Sequence, residues 1–247
     1  MKKISAVFAL CMMTSVAGAE EVSIAVAANF TDAARDLVPL FAKATGHTAK
    51  ISFGSTGKLY TQIENGAPFE VFLAADSQRP QKAEAEGLAV SGSRFTYASG
   101  KLVLWSLKPA AWTDPGLYLQ QGLFTRLAIA NPKTAPYGLA AEQVMKHLGV
   151  WGGGQGRVAQ GDSIAQTFQF IATGNAEAGF VAASQVKAWK GDAGTVWEIP
   201  QSYYEPIAQQ AVLLNKGGKN PAAKAFLDFL QSDAARAVII GYGYGVQ

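Results

Sequence analysis

Four short stretches carry the hydroxyls, amides and glycines from which an anion site could be built. They are Ala27-Ala28-Asn29-Phe30-Thr31, Gly54-Ser55-Thr56-Gly57, Ala135-Pro136-Tyr137-Gly138 and Gly161-Asp162-Ser163-Ile164. Each follows a short apolar segment and precedes residues with helical apolar spacing, so each is expected to be a strand-to-helix turn. A helix start has unpaired N–H groups and a partial positive charge, and both attract anions. Ser, Thr and Asn are also the usual N-caps, so one such turn by itself says little. Two in each half of the chain describe a cleft with donors on both walls. No matched set of Arg and Lys accompanies them. Lys58 follows the second turn and, as the first residue of a helix, is expected to point to solvent. An anion here would be held by dipoles and hydrogen bonds. A site of donors alone suits a fully ionised tetrahedral dianion, because an anion that keeps a proton also needs an acceptor.

Other chemistries fit less well. Gly54-Ser55-Thr56-Gly57-Lys58 approaches a phosphate loop, but Ser52 stands where the first glycine should be and Leu59 follows the lysine. A secreted serine hydrolase using Ser163 is the alternative from another class; no G-x-S-x-G elbow accompanies it, and only His47 and His147 could serve as base. Those histidines are a hundred residues apart, which argues against a histidine metal site. Tyr203-Tyr204 could be phenolate ligands of a ferric-ion receptor. The hard-ligand partners are missing beyond Glu205, so packing at a hinge is the preferred reading.

Residues 1–19 read as a signal peptide. Lys2 and Lys3 precede the apolar run Ile4–Val16, and Ala17-Gly18-Ala19 offers a small-x-small cleavage site, so Glu20 is expected to begin the mature protein in the periplasm. The only cysteine, Cys11, lies in that segment, leaving no thiol for a disulfide, a metal or catalysis. Loss of Lys2 and Lys3 takes the basic residues from 21 to 19 against 18 acidic ones. A nearly neutral chain without a basic run has no footprint for nucleic acid.

The elements that must position the four turns alternate as strand and helix. Strands are expected at Ser23–Ala28, Ala49–Phe53, Phe69–Ala75, Leu102–Trp105, Arg126–Ala130, Arg157–Ala159, Ala178–Val181, Val196–Ile199 and Ile207–Leu214. Helices are expected at Thr31–Ala44, Lys58–Glu64, Gln78–Glu86, Tyr137–Leu148, Ile164–Ala172, Pro221–Gln231 and Asp233–Ile240, with Pro39 inside the first. Such βα units imply mostly parallel sheets flanked by helices. The series before about residue 100 and after 120 suggest two lobes, with Phe95–Trp105 and Tyr204–Leu214 as crossovers. The expected division is 20–99 plus 206–247 for one lobe and 100–205 for the other.

Several runs are similar, taken together, to the periplasmic molybdate-binding proteins of ABC transporters. These are Val26-Ala27-Ala28-Asn29-Phe30, Phe53 through Tyr60, Gln62 through Pro68, Val71 through Asp76, Gly92 through Ala98, Asn131-Pro132 with Ala135 through Ala140, and Tyr203 through Ile207. The resemblance covers essentially the whole mature chain. It implies a two-lobed periplasmic-binding-protein fold of type II that captures molybdate, and tungstate, without a counter-charge and delivers it to an inner-membrane permease. It implies no catalysis, no cofactor and a monomer. By motif, Asn29 stands at the first-turn polar ligand, Thr56 at the second-turn hydroxyl with Ser55 beside it, Tyr137 at the third turn, and Ile164 at the fourth-turn N–H. One departure is Ala182, where some relatives carry a ligand-contacting tyrosine. Tyr137 is expected to supply a hydroxyl from the opposite wall instead. A receptor for sulfate, phosphate or ferric ion is the alternative within the binding class.

Overall fold

The structure, a computed structural model, describes residues 18–153 and 155–246, and nearly all of the signal segment lies outside them. In chain order the first lobe begins with β1 (Glu21–Ala27), a single 3-10 turn over Ala28–Phe30, α1 (Thr31–Thr45), β2 (Thr48–Gly54), α2 (Thr56–Glu64), β3 (Val71–Leu73), α3 (Gln78–Ala85) and β4 (Phe95–Gly100). The second lobe follows as β5 (Leu102–Ser106), α4 (Pro115–Gln120), β6 (Leu127–Ala130), α5 (Pro136–His147), β7 (Val158–Gly161), α6 (Ile164–Ala172), β8 (Ala178–Ala182), α7 (Ala183–Ala188) and β9 (Thr195–Glu198). The chain then returns through β10 (Ile207–Leu213), α8 (Pro221–Leu230) and α9 (Asp233–Gly241) to the first lobe.

Two five-stranded sheets result, ordered β2-β1-β3-β10-β4 and β7-β6-β8-β5-β9. Each has a parallel trio, with β1 between β2 and β3 and β6 between β7 and β8. The remaining strands run antiparallel to their neighbours. That reversal has a simple cause. β5 and β10 enter their sheets directly from the other lobe, without the crossover helix that a parallel pairing needs. The sheets are therefore mixed, with antiparallel pairing confined to the side of the crossovers.

The local reasons for these elements are legible. In α1 the buried residues Ala33, Ala34, Leu37 and Phe41 fall on one face, and Phe41 packs edge-on against Phe226 of α8 at 5.2 Å. Pro39 sits on the exposed side, so the carbonyl left without a helical donor is available to water. α4 was not foreseen in the sequence. It is one short turn and a half, capped by Asp114, whose carboxylate accepts from Leu117 N at 3.0 Å, with Pro115 at the first helical position. α7 was missed as well, because it follows β8 with no turn residue between them.

Apolar residues cover both faces of each sheet. One of the resulting clusters runs from the second lobe through the hinge, joining Leu102, Tyr137, Tyr204 and Ile207 to Ala27, Ala28 and Ala75 of the first lobe. Among the described residues no helix is long and apolar enough to cross a membrane.

Candidate functional site

All four turns lie at the carboxyl ends of parallel strands, where open α/β sheets bind ligands, and they meet. One small cavity between the lobes is lined by Ala27, Ala28, Asn29, Ser55, Thr56, Ala75, Ala135, Pro136, Tyr137 and Ile164, so each sequence-predicted site residue touches it. None of these side chains is charged. The cavity is small, about 10 Å³, far below the roughly 300–1,000 Å³ of sites for drug-sized ligands. A broader groove shares Ala75 and Pro136 with it and runs outward past Asp76, Arg79, Lys133 and Glu205, as an approach from solvent.

The donors can be followed one by one. Ser55 is the N-cap of α2 but caps nothing with its side chain; its hydroxyl is buried and has no partner among the described residues. A buried unpaired hydroxyl costs about 1–3 kcal/mol, which is what a binding group looks like before its ligand arrives. Thr56, 1% exposed, accepts a hydrogen bond from Ala75 N at 3.0 Å, so its own hydrogen is free to donate elsewhere. Tyr137, also 1% exposed, is the second residue of α5; its oxygen lies 3.5 Å from Gln209 Nε2, as acceptor. Burial pushes its phenol well above the ordinary value, with the nearby Tyr244 adding to the effect, so it remains a neutral donor. Among the described residues the main-chain N–H groups of Asn29, Thr56, Tyr137 and Ile164 have no acceptor. Three of them lie in the first turns of α2, α5 and α6, whose dipoles favour an anion there.

The Asn29 side chain is engaged within the protein. Its Nδ2 donates to Gln209 Oε1 at 2.8 Å and to the Tyr244 hydroxyl at 3.0 Å, which occupies both amide hydrogens. Its main-chain N–H has no acceptor among the described residues. Ser163 is a true N-cap, accepting from Gln166 N at 3.3 Å. No base attends it: His147 stacks on Tyr203 at 3.9 Å, and His47 accepts from Glu20 N at 3.1 Å. Tyr204 is buried at the hinge with its hydroxyl held by Leu102 N at 3.1 Å, and Tyr203 is occupied by His147, so neither phenol is placed as a ferric ligand. Among the described residues no cluster of His, Cys, Asp and Glu could hold a metal ion.

Lys58 corrects one expectation. Instead of pointing to solvent, it reaches across the cleft to Asp162, Nζ to Oδ2 at 2.8 Å. The fourth turn stands opposite the second, so the lysine finds a partner that sequence spacing could not reveal. Further contacts span the lobes: Gly57 N to Thr134 O at 2.8 Å, Arg79 to Lys133 O at 3.1 Å and Ser184 Oγ to Asn29 O at 3.3 Å. A Cβ at Gly57 would sit 2.9 Å from Thr134 Cα, so this approach needs glycine. The lobes are closed on each other.

The supporting residues were largely missed in the sequence. Gln209, Tyr97, Tyr244 and Gln185 are buried polar groups behind the cavity. Gln185 ties Ala182 N (3.1 Å) to Ile164 O (3.2 Å) and so fixes the start of α6. Ala182 is itself fully buried and does not line the cavity. The signal for these residues is weak: a lone polar residue in an apolar strand, as Gln209 is in β10, marks a buried partner but not which one.

A two-lobed mixed α/β fold closed over a small, uncharged, donor-lined cavity defines a solute-binding protein. Residues 22–245 match the family model of the bacterial extracellular solute-binding proteins. The chain is 55% identical to the molybdate-binding protein ModA of Azotobacter vinelandii, over 96% of its own length and 94% of that protein. It is 54% identical to ModA of Rhodobacter capsulatus, over 92% and 89%. Among solved structures, the periplasmic molybdate-binding protein of Azotobacter vinelandii superposes with a TM-score of 0.87 at 41% identity, covering 92% of this chain and 99% of that one. The sulfate-binding protein SubI of Mycobacterium tuberculosis shares the fold, with a TM-score of 0.75 at 12% identity over 92% and 87% of the two chains. The chain therefore belongs to the bacterial extracellular solute-binding proteins, in the branch of the ModA proteins, which are receptors and not enzymes.

Proposed function

We propose that this chain captures molybdate, and tungstate, in the periplasm and hands it to an inner-membrane ABC permease. The observation that carries the reading is the unpartnered Ser55 hydroxyl in a cavity of donors with no charged lining. Ser55, Thr56 and Tyr137 contribute hydroxyls, and Asn29 and Ile164 contribute main-chain N–H groups. The helix starts stand in for a counter-ion. The donor set fits a tetrahedral dianion; the choice of molybdate rests on the relatives at 54–55% identity. Residues 20–99 with 206–247 and residues 100–205 act as the two moving units, in a monomer whose signal segment, 1–19, is removed on export.

A thermal-shift panel with molybdate, tungstate, sulfate, phosphate and ferric ion tests this. A ligand that binds only the folded state stabilises it by RT ln(1 + [L]/Kd). Molybdate and tungstate raise the melting temperature, and the other three leave it unchanged. Stabilisation by sulfate or phosphate and not by molybdate overturns the reading.

A further inference from the structure

Behind the cavity the buried polar groups form a chain in which each hydrogen bond fixes the direction of the next. Gln209 lies on β10 at the bulge where the register against β4 slips, and it is fully buried. Its Oε1 faces two donors, Asn29 Nδ2 at 2.8 Å and the Tyr97 hydroxyl at 3.2 Å, the latter shared with Ala74 O. The Asn29 amide is fixed in turn, because its Nδ2 also reaches the Tyr244 oxygen, whose own hydrogen goes to Asn29 O at 2.8 Å. With the oxygen end of Gln209 thus assigned, its nitrogen end is the one that faces the Tyr137 hydroxyl, at 3.5 Å. The two meet over Gly100, where a Cβ would lie 2.1 Å from Tyr137 Oη and 3.0 Å from Gln209 Nε2.

We infer that Gln209 is a positioning residue that sets the polarity of the binding site through Tyr137. A phenol can donate or accept. The Gln209 N–H faces its oxygen at 3.5 Å with the Asn29 amide beside it, and no acceptor among the described residues takes its hydrogen, which is left for the cavity. The site then presents donors only. A tetrahedral anion with all oxygens deprotonated satisfies it, whereas one bearing a proton finds no acceptor and leaves a buried donor unpaired. Tyr137 belongs to the second lobe and Gln209 to the strand returning to the first, so this polarity is complete only when the lobes are closed. The inference rests on the molybdate reading above.

The test is a double-mutant cycle on molybdate affinity, measured by titration calorimetry, with Gln209→Met, Tyr137→Phe and the pair. Gln209→Met weakens binding about tenfold in the wild-type background and less than about twofold in the Tyr137→Phe background. Its effect on the melting temperature of the ligand-free protein is the same in both backgrounds, which separates a packing defect from a binding one. Gln209→Glu gives a second readout with nearly unchanged volume. Its carboxylate accepts the phenolic hydrogen and turns a lone pair into the cavity, so binding falls by about a hundredfold. Equal weakening by Gln209→Met in the two backgrounds, or wild-type affinity in Gln209→Glu, overturns the inference. Failure of the wild-type protein to bind molybdate overturns the functional reading instead, and is seen before any variant is compared.

Discussion

At the scale of single residues, the site is an arrangement of hydrogens. Removing one hydroxyl should cost what a hydrogen bond to a charged group is worth, about 1.5–3 kcal/mol, or roughly ten- to a hundredfold in Kd. Ser55→Ala and Tyr137→Phe should each weaken molybdate binding within that range by calorimetry; unchanged affinity in Tyr137→Phe would remove the phenol from the site. Ser55→Ala should also raise the melting temperature of the ligand-free protein, because it deletes a buried group with no partner. The phenols add a pH prediction. Burial first, then neighbouring tyrosines, raise Tyr97 and Tyr137 well above the ordinary 10.0, so molybdate affinity should stay flat from pH 7 to 10. Stability follows a definite sign. Below pH 10 the raised values make no difference, since folded and unfolded chains hold the same protons. Above it the unfolded chain releases its phenolic protons first, so the denaturant midpoint should fall as pH rises beyond 10.

At the scale of elements, helix starts from two lobes must face one another, and the hinge must let them. Gly100 ends β4 at the first crossover, where the Tyr137 phenol occupies the space a side chain would fill. Gly100→Ala should therefore hold the lobes apart, lowering molybdate affinity by more than tenfold while the chain still folds; full affinity would show that the phenol can move aside at little cost. The clasp of Lys58 and Asp162 is half-exposed, and such pairs are worth about 0.2–1 kcal/mol. Asp162→Asn should raise Kd by no more than about fivefold, and the effect should vanish in 1 M salt. This scale also marks what the sequence could convey. The four turns and their helices follow from strand-turn-helix patterning, because each is a local matter of caps and periodicity, and the family resemblance picks out Asn29, Ser55, Thr56, Tyr137 and Ile164 within them. The partners Gln209, Tyr97 and Tyr244 do not, since they meet across long sequence separations. Asn29 shows the limit well: its position at the cavity was legible, yet the commitment of its amide depends on Gln209 and Tyr244, 180 and 215 residues away.

At the scale of the whole molecule, the closed form is held by a few polar contacts across the cleft and by an apolar cluster that runs through the hinge. None of the cross-cleft contacts is strong alone, so the ligand supplies the remaining bias, as a population shift between open and closed forms requires. Small-angle scattering should show a smaller radius of gyration on adding molybdate, and no change on adding sulfate. An identical radius in both cases would mean that closure does not depend on the anion.

The threading of the chain has a consequence for how the protein comes to be folded. β10 sits inside the first sheet, between β3 and β4, yet it is reached only after the whole second lobe has been traversed. The first lobe is split in sequence and the second is continuous. Loop closure favours the continuous lobe, so it should acquire protected amides first in pulse-labelled hydrogen exchange, with β1 to β4 following only once β10 has inserted. The molecule is thus assembled from its middle outward, and the last strand to arrive brings Gln209 with it.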